Sequence, residues 1–139
     1  MTPESLSVIH KRSIEVPAPW SPHTFEGFLS ARGAILVSEE QGFALGRVIV
    51  DEAELLTLAV VPEARRRGIA QKCLAAFECK AEAMGATRAF LEVAETNSAA
   101  RALYQSAGWL ENAIRSDYYR VPEGGTINAI VMSKSLKTA

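Results

Sequence analysis

The apolar positions along the chain keep two different rhythms. Between residues 34 and 61 they fall into short runs, 34–38, 43–50 and 54–61, parted by Glu39-Glu40-Gln41-Gly42 and by Asp51-Glu52. Runs of this length between glycine-bearing or acidic breaks predict three strands joined by hairpins. The third run carries Leu55, Leu56, Leu58, Val60 and Val61 and is almost continuously apolar, as a strand covered on both faces would be. After residue 68 the period lengthens. Ala70, Cys73, Leu74, Phe77, Ala81 and Met84 recur at helical spacing, and Gly85 stops them. Residues 87–94 return to strand character. Asn97 then opens a helix with Ala99, Ala100, Leu103 and Ala107 inward, closed by Gly108. Two last strands, 109–119 and 126–134, flank the turn Pro122-Glu123-Gly124-Gly125.

Ahead of the first strand, Thr2-Pro3 and Ser21-Pro22 each place a capping hydroxyl before a proline. The first helix would run to about Lys11 with Leu6 and Ile9 inward. The second would carry Phe25, Phe28 and Leu29 and end near Gly33. Pro17 and Pro19 make the segment between them a loop. Hairpins at the front and strand–helix–strand units at the back predict a mixed α/β sheet in one domain spanning 1–139.

Composition narrows what such a domain could do. Of 139 residues, 48% are hydrophobic and the formal charge is −1, so no global field draws it to nucleic acid or to an acidic membrane. No apolar run approaches the roughly 18 residues that span a bilayer. The start, M-T-P-E-S-L, lacks the layout of a secretory signal, so a cytoplasmic location is expected. Cys73 and Cys79 are six apart on one predicted helix, on different faces, which predicts neither a disulfide nor a metal site. His10 and His23 have no partner pattern for metal binding or nucleophile activation and read as surface or structural.

The one dense basic cluster sits where it can do chemistry. Residues 60–71 read V-V-P-E-A-R-R-R-G-I-A-Q, between the apolar third strand and the following helix. Gly68 lets the backbone approach an anion, and the first N–H groups of a helix opening at Ile69, Ala70 and Gln71 have no intrahelical partners. Arg66 and Arg67 read as the contacts to a phosphate, with Arg65 facing solvent. The loop lacks the lysine and second glycine of a nucleoside-triphosphate loop, and no Gly-x-Gly-x-x-Gly follows the first strand.

What it does contain is Arg65-x-x-Gly68-x-Ala70, preceded by L-T-L-A-V-V-P and followed by F-L-E-V-A-E-T-N-S-A-A-R-A-L-Y-Q-S-A-G-W. Here the sequence resembles the GNAT superfamily of acyl-CoA-dependent N-acyltransferases over nearly its whole length. P-A-P-W-S-P-H-T-F, D-E-A-E-L-L-T-L-A-V-V-P and I-R-S-D-Y-Y-R resemble segments of its bacterial ribosomal-protein-alanine N-acetyltransferases. The resemblance implies a mixed, mostly antiparallel central sheet flanked by helices, acetyl-CoA as cosubstrate, and a protein N-terminus, such as that of a ribosomal protein, as acceptor. It marks Glu92 as general base and Tyr104 as general acid. It makes Asn97 a coenzyme ligand as well as a cap. It lays the pantetheine arm along the backbone of Leu58, Ala59 and Val60, with the Val60 N–H as oxyanion donor. Leu103 reads as a more clearly buried position than Tyr104, and Tyr118 and Tyr119 either wall the acceptor channel or fill a strand. A small-molecule amine or lysine acceptor, or a non-catalytic acyl-CoA-binding module, would fit the same motif.

Overall fold

The computed structural model describes residues 1–14 and 16–136. Both N-terminal helices begin at their hydroxyl caps. The Thr2 side chain accepts from the Ser5 N–H ahead of α1 (Pro3–Ser13). The Ser21 side chain accepts from the Thr24 N–H ahead of α2 (Pro22–Ser30). Then follow β1 (Ala34–Glu39), β2 (Gly42–Ile49), β3 (Glu52–Val60), a 3-10 turn at Pro62–Ala64 and α3 (Ile69–Ala83). The chain continues through β4 (Arg88–Ala94), α4 (Ser98–Ser106), β5 (Leu110–Arg120) and β6 (Thr126–Ser135). The strands form one six-stranded sheet in the order β1-β2-β3-β4-β6-β5. Every neighbouring pair is antiparallel except β3 and β4, which the α3 crossover makes parallel.

One irregularity in β3 decides which side chains face which layer. Leu45 pairs with Thr57 but Gly46 pairs with Leu55, so Leu56 is an extra residue. A bulge of this kind shifts the side-chain alternation by one. Before it, Ala53 and Leu55 join the core that holds Leu74 and Phe77 of α3 and Tyr104 of α4. After it, Ala59 joins Leu6 of α1 and Phe25 of α2 on the opposite face, and Thr57 meets His10 of α1. The sheet is therefore a middle layer, with α1 and α2 on one side and α3 and α4 on the other. The strand expected to be covered on both faces is so in part, its second face being half-buried.

Two helical faces differ from the periodic reading. Met84 is 46% exposed because α3 ends at Ala83 and Gly85, with φ +96, turns the chain away. Along α4, Ala99 faces solvent and Leu103 is only half-buried, while Tyr104 is the buried residue. Its ring lies 6.0 Å from that of Trp109, whose indole N–H donates to Glu78. Alanines leave a helical wheel with little to rank its faces, and the large aromatic takes the core.

Of the two readings of His10, surface or structural, the structure takes the buried one, and its 1% exposure leaves no room for a hydration shell. Phe25 lies edge-on at 5.3 Å and Trp20 is tilted at 5.1 Å. Burial pulls its pKa down from the usual 6.5 to about 4. His23 lies exposed near the start of α2. Cys73 is buried and Cys79 exposed, and both are free thiols.

Two stability experiments follow from this packing. A Cβ on Gly46 would sit 2.3 Å from Phe77 Cε1 and 2.4 Å from the Glu54 carbonyl oxygen. Gly46→Ala is expected to destabilise by ~2 kcal/mol or more in urea titrations. Gly27→Ala, in α2 with nothing within 4 Å, should be neutral or stabilising by up to ~1 kcal/mol. The second concerns pH. Between about 6.5 and 4 the unfolded chain binds a proton at His10 that the native state refuses, so stability falls as pH drops through that window and the effect levels off below it. The contribution at stake is about 3 kcal/mol. Subtracting the urea stability curve of His10→Gln from that of the wild type across pH 7 to 4 should reveal this slope.

Candidate active site

The parallel pair β3–β4 holds together for only three residue pairs, Glu52↔Arg88, Ala53↔Ala89 and Glu54↔Phe90. Beyond them the strands diverge, although β3 continues to Val60 and β4 to Ala94. Each remains paired on its outer side, β3 with β2 and β4 with β6. The result is a gap in the middle of the sheet, lined by backbone.

Strand alternation says which groups face it. The Val61 N–H donates to the Gln41 carbonyl at 3.0 Å, towards β2. Two residues back, Ala59 also turns to β2, and its carbonyl lies beside Gly42. The N–H groups of Leu58 and Val60 therefore turn into the gap. This corrects one expectation: Ala59 lines the cleft but presents its backbone hydrogen-bonding groups to β2. The Val60 carbonyl is occupied, accepting from Arg65 Nε at 3.3 Å, while Arg65 Nη2 donates to the Ser13 carbonyl at 2.9 Å. Arg65 was expected to face solvent. It is exposed, and its guanidinium also ties the end of β3 to the end of α1.

The following loop puts two residues in the left-handed region, Arg66 at φ +66 and Gly68 at φ +77. Lys72 N–H donates to the Gly68 carbonyl, the first bond of α3. Ile69, Ala70 and Gln71 thus begin the helix with N–H groups that have no partner within it, and Gly68 supplies no side-chain cap. Backbone donors in this arrangement suit an anion. A cavity of about 720 Å³ opens over them, lined also by Leu58–Val60, Asn97, Leu103 and Tyr104. It is large enough for an extended cofactor arm. Arg66 lines it, whereas Arg67 is exposed and lies off its wall. Asn97 caps α4, its Oδ1 accepting from the Ala100 N–H at 3.2 Å.

A second, smaller cavity of about 80 Å³ occupies the gap itself, and Leu58, Asn97, Ala100 and Tyr104 line both. Leu91 and Val93 turn into the core that holds Tyr104. Glu92, between them, turns to the other face, towards α1. Its Oε1 accepts from the Tyr118 hydroxyl at 3.3 Å, and Arg115 Nε stands 2.9 Å from Oε2. That second contact is an ion pair without an aligned hydrogen bond, since Oε2 is buried and no donor among the described residues is directed at it. Arg115 and Tyr118 come from β5, where the register slips between Arg115 and Tyr119 and Asp117 adopts φ +53. Tyr119 lines the small cavity, and burial, then the Glu92 charge, push its pKa up to about 12. Burial pushes the Tyr104 phenol up as well, so it stays protonated.

A carboxylate and a protonated phenol thus flank a gap whose edge offers free N–H groups and whose mouth is an anion cradle. The family model for the Acetyltransferase (GNAT) family matches residues 9–109. The chain belongs to this family. A ribosomal protein bS18-alanine N-acetyltransferase from Haemophilus ducreyi is 36% identical over 119 residues, covering 83% of this chain and 82% of that one. The crystal structure of the ribosomal-protein-alanine N-acetyltransferase of Escherichia coli superposes with a TM-score of 0.86 at 30% identity, covering 99% of this chain and 89% of that one. Arabidopsis thaliana NAA60 in complex with acetyl-CoA shares the fold, with a TM-score of 0.82, 15% identity and coverage of 96% and 92%.

In this GNAT chain the structure brings Glu92, Tyr104, Asn97, Leu58–Val60, Ala64–Arg66 and Gly68–Gln71 around two cavities that share part of their lining, and leaves Arg67 outside them. Three participants were missed in the sequence: Arg115, Thr57 and His10. Arg115 carried no signal, because the slip that aims it is set by pairing. Thr57 did carry one, as the lone polar residue between Leu55 and Val61. His10 falls four residues after Leu6, on the buried face of α1.

The cradle can be probed at Gly68. A Cβ there meets only Gln71 Oε1 at 3.8 Å, so the cost of Gly68→Ala lies in its φ of +77 and not in crowding. The loop should relax away from that φ at a cost of ~1–2 kcal/mol, raising KM for acetyl-CoA roughly five- to thirtyfold and leaving KM for the acceptor little changed. Steady-state kinetics with each substrate varied in turn measures this.

Proposed function

We propose that this protein transfers the acetyl group of acetyl-CoA to the N-terminal α-amino group of a protein, with a ribosomal protein beginning with alanine as acceptor. One domain, residues 1–139, carries the reaction, and the cytoplasm, where such acceptors are made, is its location. The observation that supports this reading best is the split between β3 and β4, with Glu92 turned to one face and Tyr104 to the other.

On this reading the pyrophosphate of the coenzyme takes the N–H groups of Ile69, Ala70 and Gln71, with Arg66 beside it. The pantetheine arm pairs with the free edge at Leu58 and Val60 like an added strand, and Asn97 borders it. The Val60 N–H donates to the thioester oxygen as charge develops there. An α-amino group with an ordinary pKa near 7.7–8.0 needs only a modest base, and Glu92 serves. Tyr104 donates to the sulfur as it becomes a thiolate. Its raised pKa makes complete proton transfer to a thiolate uphill, so a hydrogen bond that strengthens along the reaction is the phenol's contribution. The relatives named for ribosomal-protein alanine support the acceptor, and so does a small cavity of about 80 Å³ beside Glu92, which suits a short first side chain.

Glu92→Gln and Tyr104→Phe are each expected to reduce kcat by ~100-fold or more while acetyl-CoA binding, followed by calorimetry, survives. Full turnover in both variants would remove these residues from the reaction. Mass spectrometry of ribosomal proteins from cells with and without the enzyme should show one acetyl group on an N-terminal alanine. An unchanged spectrum would overturn the acceptor.

A further inference from the structure

The pair His10–Thr57 lies on the Glu92 face of the gap. The Trp20 backbone N–H donates to His10 Nδ1 at 2.9 Å, and His10 Nε2 lies 2.9 Å from Thr57 Oγ1. A backbone N–H can only donate, so Nδ1 must be the accepting nitrogen of a neutral ring and Nε2 must carry the proton. His10 then donates to Thr57 Oγ1. Both groups are buried, at 1% and 8% exposure. The Thr57 hydroxyl keeps its own hydrogen, and among the described residues Oγ1 meets no other partner. A buried donor left without an acceptor costs ~1–3 kcal/mol.

Glu92 presents the complementary deficit. Its Oε2 is buried, with Arg115 Nε 2.9 Å away as an ion pair but with no donor among the described residues aligned on it in a hydrogen bond. Continuing the β3–β4 register two residues past Glu54↔Phe90 reaches Leu56 and Glu92, and the bulge at Leu56 brings Thr57 to that level. Thr57 and Glu92 both line the small cavity, without a direct hydrogen bond. About 80 Å³ is ample for a water molecule, and a water is what joins two polar groups that line one cavity without a direct hydrogen bond.

We infer that Thr57 is a positioning residue for the acetyl transfer: oriented by His10, it donates to a water in the gap, and that water donates to Glu92 Oε2. The donors run one way, from Trp20 N–H to His10, to Thr57, to water, to the carboxylate. The water's remaining lone pair faces the acceptor amine. It takes one proton from the amine while giving one to Glu92, so the water is regenerated and the carboxylate holds the proton. Because Nδ1 is committed to Trp20, the chain cannot reverse and leave the water pointing its hydrogen away from the base. The inference rests on Glu92 as the base in the proposed function and not on the acceptor's identity.

The test separates the hydroxyl from its packing. Thr57→Val keeps the branched shape but leaves the buried His10 Nε2–H without its acceptor, so it should lose ~1–3 kcal/mol in urea and still fold, yet lose about tenfold or more in kcat with KM for acetyl-CoA within about twofold. Thr57→Ser loses a methyl and some stability but keeps the hydroxyl, and its kcat should stay within about threefold of wild type. Wild-type kcat in Thr57→Val, or equal losses in both variants, would overturn the inference. A crystal structure resolving ordered solvent should show a water within about 3.2 Å of both Thr57 Oγ1 and Glu92 Oε2, absent in Thr57→Val. A wild-type crystal without that water also overturns it. Failure of wild type on an alanine-first peptide would count against the acceptor reading, and the crystallographic arm, which needs no acceptor, still decides this one.

Discussion

The site depends on where β3 and β4 stop pairing. A parallel pair normally satisfies the backbone of both strands along its length, and open N–H and C=O groups in a sheet interior are costly. Here three pairs hold and the strands then part. What keeps them parted is local. The bulge at Leu56 turns β3 off its course. Arg65 ties the Val60 carbonyl to the end of α1, and β6 holds β4 along its whole length on the other side. The freed edge is the resource the site uses, because backbone groups that cannot pair with each other are available to a ligand.

The same bulge gives the two faces of the gap different chemistry. Without the extra residue, Thr57 would turn towards α3 and into the aliphatic core. With it, the Thr57 hydroxyl meets an imidazole that lies within the aromatic cluster of Trp20, Phe25 and Phe43. Packing against rings keeps His10 neutral, and a neutral imidazole both accepts from one side and donates to the other.

Much of this was legible in the chain. Caps, glycine stops and apolar rhythm place the elements to within about three residues, the largest miss being the end of α2 at Ser30, and the Arg65–Ala70 loop with its flanking strand and helix identifies the cradle. The residues around the small cavity were harder. Tyr104 was ranked below Leu103 for burial because α4 is rich in alanine, and only tertiary contact with Trp109 settles which side is inside. Arg65 looked like the solvent-facing arginine of three equivalent ones, and nothing local says that two carbonyls wait for it. Arg115 reaches Glu92 through a register slip between β5 and β6, a property of a strand pair that neither strand encodes alone.

The two cavities also have a kinetic consequence. The larger lies over the start of α3 and the smaller reaches towards α1, with Tyr104 and Leu58 at their junction. Two guests can then be seated together and meet head-on, with no side chain needed to carry the acetyl group between them. Velocity plots against one substrate at fixed levels of the other should therefore intersect and not run parallel, and neither product has to leave before the second reactant arrives.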